Sequence, residues 1–271
     1  MKLQNVLLNL SFMKIISIIN NKGGVGKTTL AQNLSVSLAR KGKKVGLIDF
    51  DPQANLSSVF NYGNGEGSDL VEALLSIEKI TNKTFSSTYQ ENLFILPNHK
   101  DITSKLFDRV DIFVQTTILK NRLNLNSLDF DYIFIDTPPN LELQTLNAMT
   151  ASTHILIPVA YERFGIDGIT SVRAYFQKAK ETVNPQLEIL GVVATNVDQR
   201  LNMTKEKKEI LESMLGKYFM KTEIRTSSKY REAQDVGKDI YAHGFGINYF
   251  STKKCLEDFD NLTAEIINKL K

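Results

Sequence analysis

The chain predicts an α/β fold, a mostly parallel twisted sheet with helices on both faces, and three observations carry that reading. Short runs rich in Ile, Val and Phe alternate with stretches of helical spacing. Two of the runs, at 45–49 and 132–136, close on aspartate. The first run feeds a glycine-rich turn that opens a helix, Asn20-Asn21-Lys22-Gly23-Gly24-Val25-Gly26-Lys27-Thr28-Thr29. Runs that are apolar throughout, rather than alternating, belong to strands covered on both faces.

In chain order, Ile15–Ile19 reads as the first buried strand. The loop after it has the composition of a phosphate cradle: its glycines let backbone N–H groups crowd an anion, and the helix N-terminus adds positive potential. Lys27 would bridge β- and γ-phosphates, and Thr28 would offer its hydroxyl to Mg²⁺. Asn21, where such loops usually open with glycine, tolerates left-handed backbone angles. Leu30, Ala31, Leu34 and Leu38 share one helix face, which Gly42 ends. Residues 44–49 form a second strand running into Asp49-Phe50-Asp51-Pro52-Gln53, two acids placed at a strand's C-terminal end beside the phosphate loop. A turn or capping acid is the other reading of Asp51. Residues 61–67 compose a loop, and Ser68 caps a short helix with Leu70, Leu74 and Leu75. Leu93–Pro97 is a third strand. Residues 103–124 carry Leu106, Val110, Phe113, Ile118 and Leu119 at helical spacing. Tyr132–Asp136 is a fourth strand, and its terminal Asp136 suits an acid that holds Mg²⁺ through water. Ile155–Val159 follows, then a helix with Ile166, Ile169, Val172, Phe176 and Ala179 that Asn184-Pro185 stops. Leu187–Ala194 is the sixth strand. Leu256, Phe259, Leu262, Ile266 and Leu270 outline a C-terminal helix.

At 271 residues the chain can bury a sizeable core. Strand–helix units without a composition break predict one domain over 13–271, preceded by an N-terminal arm, 1–12, whose role is unreadable. Cys255 is the one cysteine, which rules out an internal disulfide and an intrachain cysteine cluster and suits a reducing cytoplasm. No apolar run approaches a bilayer span, and the first twelve residues make a poor signal peptide. The net charge of +3 is mild, so affinity for nucleic acid requires a local patch.

The stretch Lys22-Gly23-Gly24-Val25-Gly26-Lys27-Thr28-Thr29 resembles the deviant phosphate loop of the ParA/MinD family of ATPases. Asp49-Phe50-Asp51-Pro52-Gln53 resembles that family's Asp-x-Asp-Pro-Gln motif. Thr137-Pro138-Pro139 resembles its switch segment, with Asn140 where serine is commoner. Glu162, Phe164, Gly165 and Gly168 resemble its loop into the next helix, and the likeness extends over roughly 14–240. It implies a deviant P-loop fold that uses ATP and Mg²⁺, with residues 22–29 around the phosphates. It implies that Lys22 reaches the partner's nucleotide across a sandwich homodimer, that Asp51 positions the attacking water, and that Asp49 lies near the metal's water shell. Asn196 is the candidate reader of the adenine edge, with a turn asparagine as the alternative. Where the family has Ile-Pro-Arg-Asn beside the base, this chain has Ile224-Arg225-Thr226-Ser227.

Between 198 and 231 nine basic residues face five acidic ones. Arg200, Lys221, Arg225, Lys229 and Arg231 are the candidates for gripping DNA phosphates without reading sequence; a solvated helix face is the other reading. The C-terminal helix mixes Glu257, Asp258, Asp260 and Glu265 into its polar face, which predicts docking on the body and no membrane partner. Iron-protein reductases of the same superfamily need two cysteines per subunit, which this chain lacks. The resulting expectation is a partition ATPase, cytoplasmic and nucleoid-associated, that dimerises on ATP, binds DNA nonspecifically and is stimulated by a ParB-like adaptor. A MinD-like or protein-cargo positioning ATPase, or an ATP-binding module with negligible hydrolysis, is the alternative.

Overall fold

The computed structural model describes residues 13–62, 70–99, 106–111, 114–161, 165–198, 202–244 and 249–271. Seven strands form one sheet: β1 (Lys14–Ile18), β2 (Val45–Asp49), β3 (Ser86–Ser87), β4 (Leu93–Leu96), β5 (Tyr132–Asp136), β6 (His154–Ala160) and β7 (Glu188–Thr195), in the order β3-β4-β2-β5-β1-β6-β7. Every neighbouring pair is parallel except β3 with β4. The described helices are α1 (Lys27–Arg40), α2 (Asn55–Val59), α3 (Leu70–Leu75), α4 (Ile118–Arg122), α5 (Leu143–Ala151), α6 (Gly165–Thr182), α7 (Asn202–Leu215), α8 (Ser228–Asp235), α9 (Ile240–His243) and α10 (Tyr249–Lys269).

Successive side chains of a strand point to opposite faces, and both faces here are covered. Ile16, Ile18, Leu47 and Phe134 pack with Leu30, Leu34 and Leu38 of α1 and with Phe259, Leu262 and Ile266 of α10. Ile15, Ile48, Ile133 and Ile135 face the other way, onto Leu70 and Leu74 of α3, Ile118 and Leu119 of α4, and Ala148 of α5. Beside β6 and β7, Ile169, Val172, Phe176 and Ala179 of α6 are buried with Ile155, Ile157 and Ala194. The C-terminal helix is therefore docked, as its acids predict. Asp260 accepts from Ser37 on α1 at 3.0 Å and from Tyr241 at 3.0 Å.

Two expectations change. Among the described residues of 103–124, the helical spacing gives only a 3₁₀ turn at Phe107–Arg109 and the five-residue α4. Leu106, Phe107, Ile118 and Leu119 are all buried on the sheet, and turns suffice to bring them there, so tertiary burial overrides the helical spacing. The left-handed angles of the glycine-rich loop fall on Gly24 (φ 73°) and Gly26 (φ 83°), not on Asn21. Ser68, Phe113, Glu162, Phe164, Arg200 and residues 1–12 lie outside the described residues.

Candidate nucleotide site

Parallel register sets the site at the carboxyl end of the sheet. Ile18 pairs with Asp136, and Asp49 pairs with Asp136, so the ends of β1, β5 and β2 lie level. A cleft of about 1320 Å³ opens there, lined among others by Gly24, Lys27, Thr28, Asp51, Pro139 and Asn196. This is where open α/β sheets bind ligands, outside the strands' carboxyl ends.

The loop is braced from three sides. Asn20 accepts from the Lys22 N–H at 3.0 Å and donates to the Pro158 carbonyl at 2.7 Å. Gly168 of α6 sits against this asparagine, where an added Cβ would lie 3.2 Å from its Oδ1 and push the side chain back by a few tenths of an ångström. From β7, Thr195 donates to the Val25 carbonyl at 2.9 Å, and Asn196 donates from Nδ2 to the Gly24 carbonyl at 2.8 Å. Asn196 lines the cleft in a left-handed conformation (φ 53°), which asparagine tolerates. Its resolved hydrogen bond holds the loop.

Lys27 begins α1 and is 7% exposed. Its ammonium donates to the Lys22 carbonyl at 2.9 Å. Burial lowers its pKa, against the pull of Asp136 and Asp51. A cation held out of water in this way is poised to gain from an anionic ligand. Thr28 donates its hydroxyl to Asp136 Oδ2 at 2.7 Å. Asp136 is fully buried, and its Oδ1 has no hydrogen-bond partner among the described residues. Burial, followed by the nearby Asp49, pushes its carboxyl well above the usual range. A buried carboxylate oxygen without a donor, beside a threonine hydroxyl, fits a hard divalent cation that keeps several of its waters. Thr28 and Asp136 are the residues that would hold Mg²⁺, which when bound supplies charge neutralisation at the phosphates.

The acid that ends β2 and the one just after it have different surroundings. Asp51 lines the cleft, and its Oδ1 accepts from the Gln53 N–H at 2.9 Å. Asp49, expected near the metal's water shell, has both oxygens engaged by protein donors. Oδ1 accepts from the Asp51 N–H at 3.2 Å, and Oδ2 accepts from the N–H and hydroxyl of Ser57 at 2.8 and 2.7 Å. It is fully buried, and burial raises its carboxyl to about 6. Its visible work is to hold Asp51 in place. Ser57, which the sequence reading missed, also accepts from the Asn98 N–H at 2.8 Å, and Asn98 donates to the Asp51 carbonyl at 3.0 Å.

The basic patch is broken up by ion pairs. Arg225 grips Asp258 of α10 with Nη2 to Oδ1 at 2.6 Å and Nε to Oδ2 at 2.7 Å, so its charge is paired within the fold. Lys229 is paired with Glu232 at 2.6 Å, and Arg231 lines the nucleotide cleft. Of the described candidates, Lys221 and Arg231 are exposed, and neither forms an ion pair among the described residues. The departed segment does wall the cleft, through Ile224, Thr226 and Ser227. Gln234, another residue the sequence reading passed over, donates to the Thr29 hydroxyl at 3.2 Å.

Residues 13–189 match the model of an AAA domain family. The sporulation initiation inhibitor protein Soj of Bacillus subtilis is 34% identical over 227 residues, 84% of this chain and 90% of that protein. The chromosome-partitioning ATPase Soj of Treponema pallidum is 33% identical over 85% of this chain and 90% of its own length. A plasmid partition protein of Borrelia burgdorferi, solved with AMPPNP bound, superimposes with a TM-score of 0.75 at 27% identity, over 94% of this chain and 98% of that one. With a Gly-Lys-Thr loop, a threonine–aspartate pair for a divalent cation and this ancestry over most of its length, the chain belongs to the ParA/Soj family of P-loop ATPases.

Proposed function

We propose that this chain is a DNA-partition ATPase that hydrolyses ATP with Mg²⁺ in a sandwich homodimer, binds DNA nonspecifically in that state and releases it when a ParB-like adaptor stimulates turnover. Residues 13–271 act as one domain, at the nucleoid. The observation that carries the reading is the placement of the two lysines. Lys27 enters the cleft, whereas Lys22 is not among the described residues lining it, although the Lys22 carbonyl is the acceptor for Lys27. A second cation carried on the same loop, besides the one that lines its cleft, suits delivery to a facing subunit's phosphates, which would couple hydrolysis to assembly. Asp51, in the cleft and held by Asp49, orients the attacking water, and Asn196 and the segment 224–228 flank the base. Lys221, Arg231 and Arg200 supply the phosphate contacts that remain after Arg225 and Lys229 are paired internally. The two-fold symmetry of the dimer would double them on one surface.

Mixing variants tests the reading. Lys22→Ala should keep ATP binding as a monomer and lose both the ATP dimer and turnover, and Lys27→Ala should lose nucleotide binding. Mixed, the two should recover part of the activity at the one site that has an intact loop and a partner's Lys22. A Lys22→Ala variant that loses ATP affinity as severely as Lys27→Ala would make Lys22 a ligand of its own nucleotide and end the argument. For DNA, Lys221→Glu combined with Arg200→Glu should weaken binding of unrelated duplexes equally and flatten the salt dependence. Unchanged affinity would remove these residues from the interface.

A further inference from the structure

The wall formed by Ile224, Thr226, Ser227 and Ser228 is held from two sides. On one side it is bridged to the end of β7: the Val197 N–H donates to the Ile224 carbonyl at 3.1 Å, and the Thr226 N–H donates to the Val197 carbonyl at 3.0 Å. On the other side two carboxylates of α10 clamp it. Glu265 accepts from the N–H groups of Lys221 and Thr222 at 2.8 and 3.0 Å. Asp258 accepts three times from Arg225, from N–H at 3.1 Å, Nε at 2.7 Å and Nη2 at 2.6 Å. This pair is largely shielded, its side chains 21% and 10% exposed, so it is a defined two-point hold of the kind arginine and carboxylate form. Next to Asp258, Phe259 lines the cleft itself and packs edge-on against Tyr230, with ring centroids 5.8 Å apart.

We propose that Asp258, on the C-terminal helix, is a positioning residue for the nucleotide base: by holding the Arg225 backbone and side chain together it fixes the distance of the 224–228 wall from the phosphate loop. The inference rests on the reading that the base lies against this wall. The mechanical route is short. The wall is bonded to Val197, and Asn196 and Thr195 beside it are bonded to Gly24 and Val25 of the loop, so a shift of the wall changes the width of the cleft between its base and phosphate ends. A base is selected by hydrogen bonds that tolerate only small displacements, whereas the phosphates would be held mainly by the loop and Lys27 rather than by the wall. The C-terminal helix thereby sets nucleotide preference without touching the nucleotide through Asp258.

Asp258→Asn, Asp258→Glu, Thr226→Val and the double variant Arg225→Gln/Asp258→Asn test this, with Kd for ATP and GTP in Mg²⁺ measured by calorimetry, together with kcat at saturating ATP. Asp258→Asn should weaken ATP binding about tenfold, or about 1.4 kcal/mol, with less effect on GTP. Its kcat should stay within about twofold, because the phosphate chemistry is untouched. Asp258→Glu should restore most of the ATP preference. The double variant should be no worse than the single, since the two residues act as one unit. If Asp258→Asn leaves the ATP-to-GTP ratio unchanged while Thr226→Val alters it, the base site stands and the positioning role of Asp258 is overturned. If neither alters it, the base lies elsewhere and both readings go. If Asp258→Asn fails to fold, the double variant decides: an unchanged ATP-to-GTP ratio in it overturns the proposal, and a lowered ratio upholds it.

Discussion

Ser57→Ala is the most incisive perturbation, because one hydroxyl joins the acid at the end of β2 to the loop after β4. The serine's N–H bond to Asp49 survives in alanine, so the substitution removes two interactions. The first is the hydroxyl's bond to the Asp49 carboxylate at 2.7 Å, of the charged kind that contributes about 1.5–3 kcal/mol. The second is its acceptance from the Asn98 N–H at 2.8 Å, and a stranded buried donor costs about 1–3 kcal/mol. All three residues are fully buried, so water cannot substitute. A loss of about 3 kcal/mol is expected by urea unfolding at pH 7.5, which in a domain of this size lowers Tm by about 6–12 °C. The loss should also depend on pH. Burial places the folded Asp49 carboxyl at about 6 against 3.8 unfolded, so the folded state binds the extra proton and stability falls as pH rises across that interval. The Ser57 hydroxyl bond is one of the forces that lowers this pKa, so removing it raises the folded value further. The variant then keeps losing stability above pH 6, where the wild type has levelled, and its deficit should be larger at pH 7.5 than at pH 5. A deficit below about 0.5 kcal/mol at pH 7.5, or one equal at both pH values, would refute the argument. Because Asp49 also holds the Asp51 N–H, kcat should fall with little change in ATP affinity.

Three further outcomes follow from the site and from the far end of the sheet. Lys27→Ala should weaken ATP·Mg²⁺ binding at least about 100-fold by calorimetry, since two charged hydrogen bonds to phosphate are lost; near-native affinity would contradict the loop assignment. Asp51→Ala should bind ATP and accumulate as dimer with little turnover, whereas Asp136→Ala should bind ATP equally with Mg²⁺ and with EDTA; size-exclusion profiles that coincide would dissolve that division. At the amino end of β6, burial, followed by the nearby Lys14, lowers the His154 pKa, so the unfolded state binds the extra proton. Stability should therefore rise with pH from the folded pKa up to about 6.5, and His154→Gln should flatten that part of the Tm–pH curve.

The strands and the loop were legible because their signals are local. An apolar strand buried on both faces has few alternatives, and Gly-Lys-Thr after such a strand is tied to its neighbours in sequence. The acids closing β2 and β5 were legible for the same reason, since strand ends in a parallel sheet are also site positions. The two serines of β3 carry no periodic signal, and that strand exists because it pairs with β4. The stretch 103–124 carried a helical pattern that a few buried contacts satisfied by another path.

Charge was the least legible quantity, because sequence counts charges without pairing them. Arg225 looked like part of a basic surface until Asp258, 33 residues later, was seen to neutralise it. Nothing near Asp49 in sequence shows that Ser57, eight residues later, and the Asp51 N–H bond to its oxygens. Residues within a few positions of one another suffice for the six apolar strands, the phosphate loop and the Gly-Lys-Thr chemistry. Only the tertiary structure shows that Ser57 and the Asp51 N–H engage Asp49, that Arg225 is paired inside the fold, and that Phe259 of the C-terminal helix walls the cleft. Those outcomes depend on partners far apart in the chain, whose meeting is set by the packing of the whole sheet.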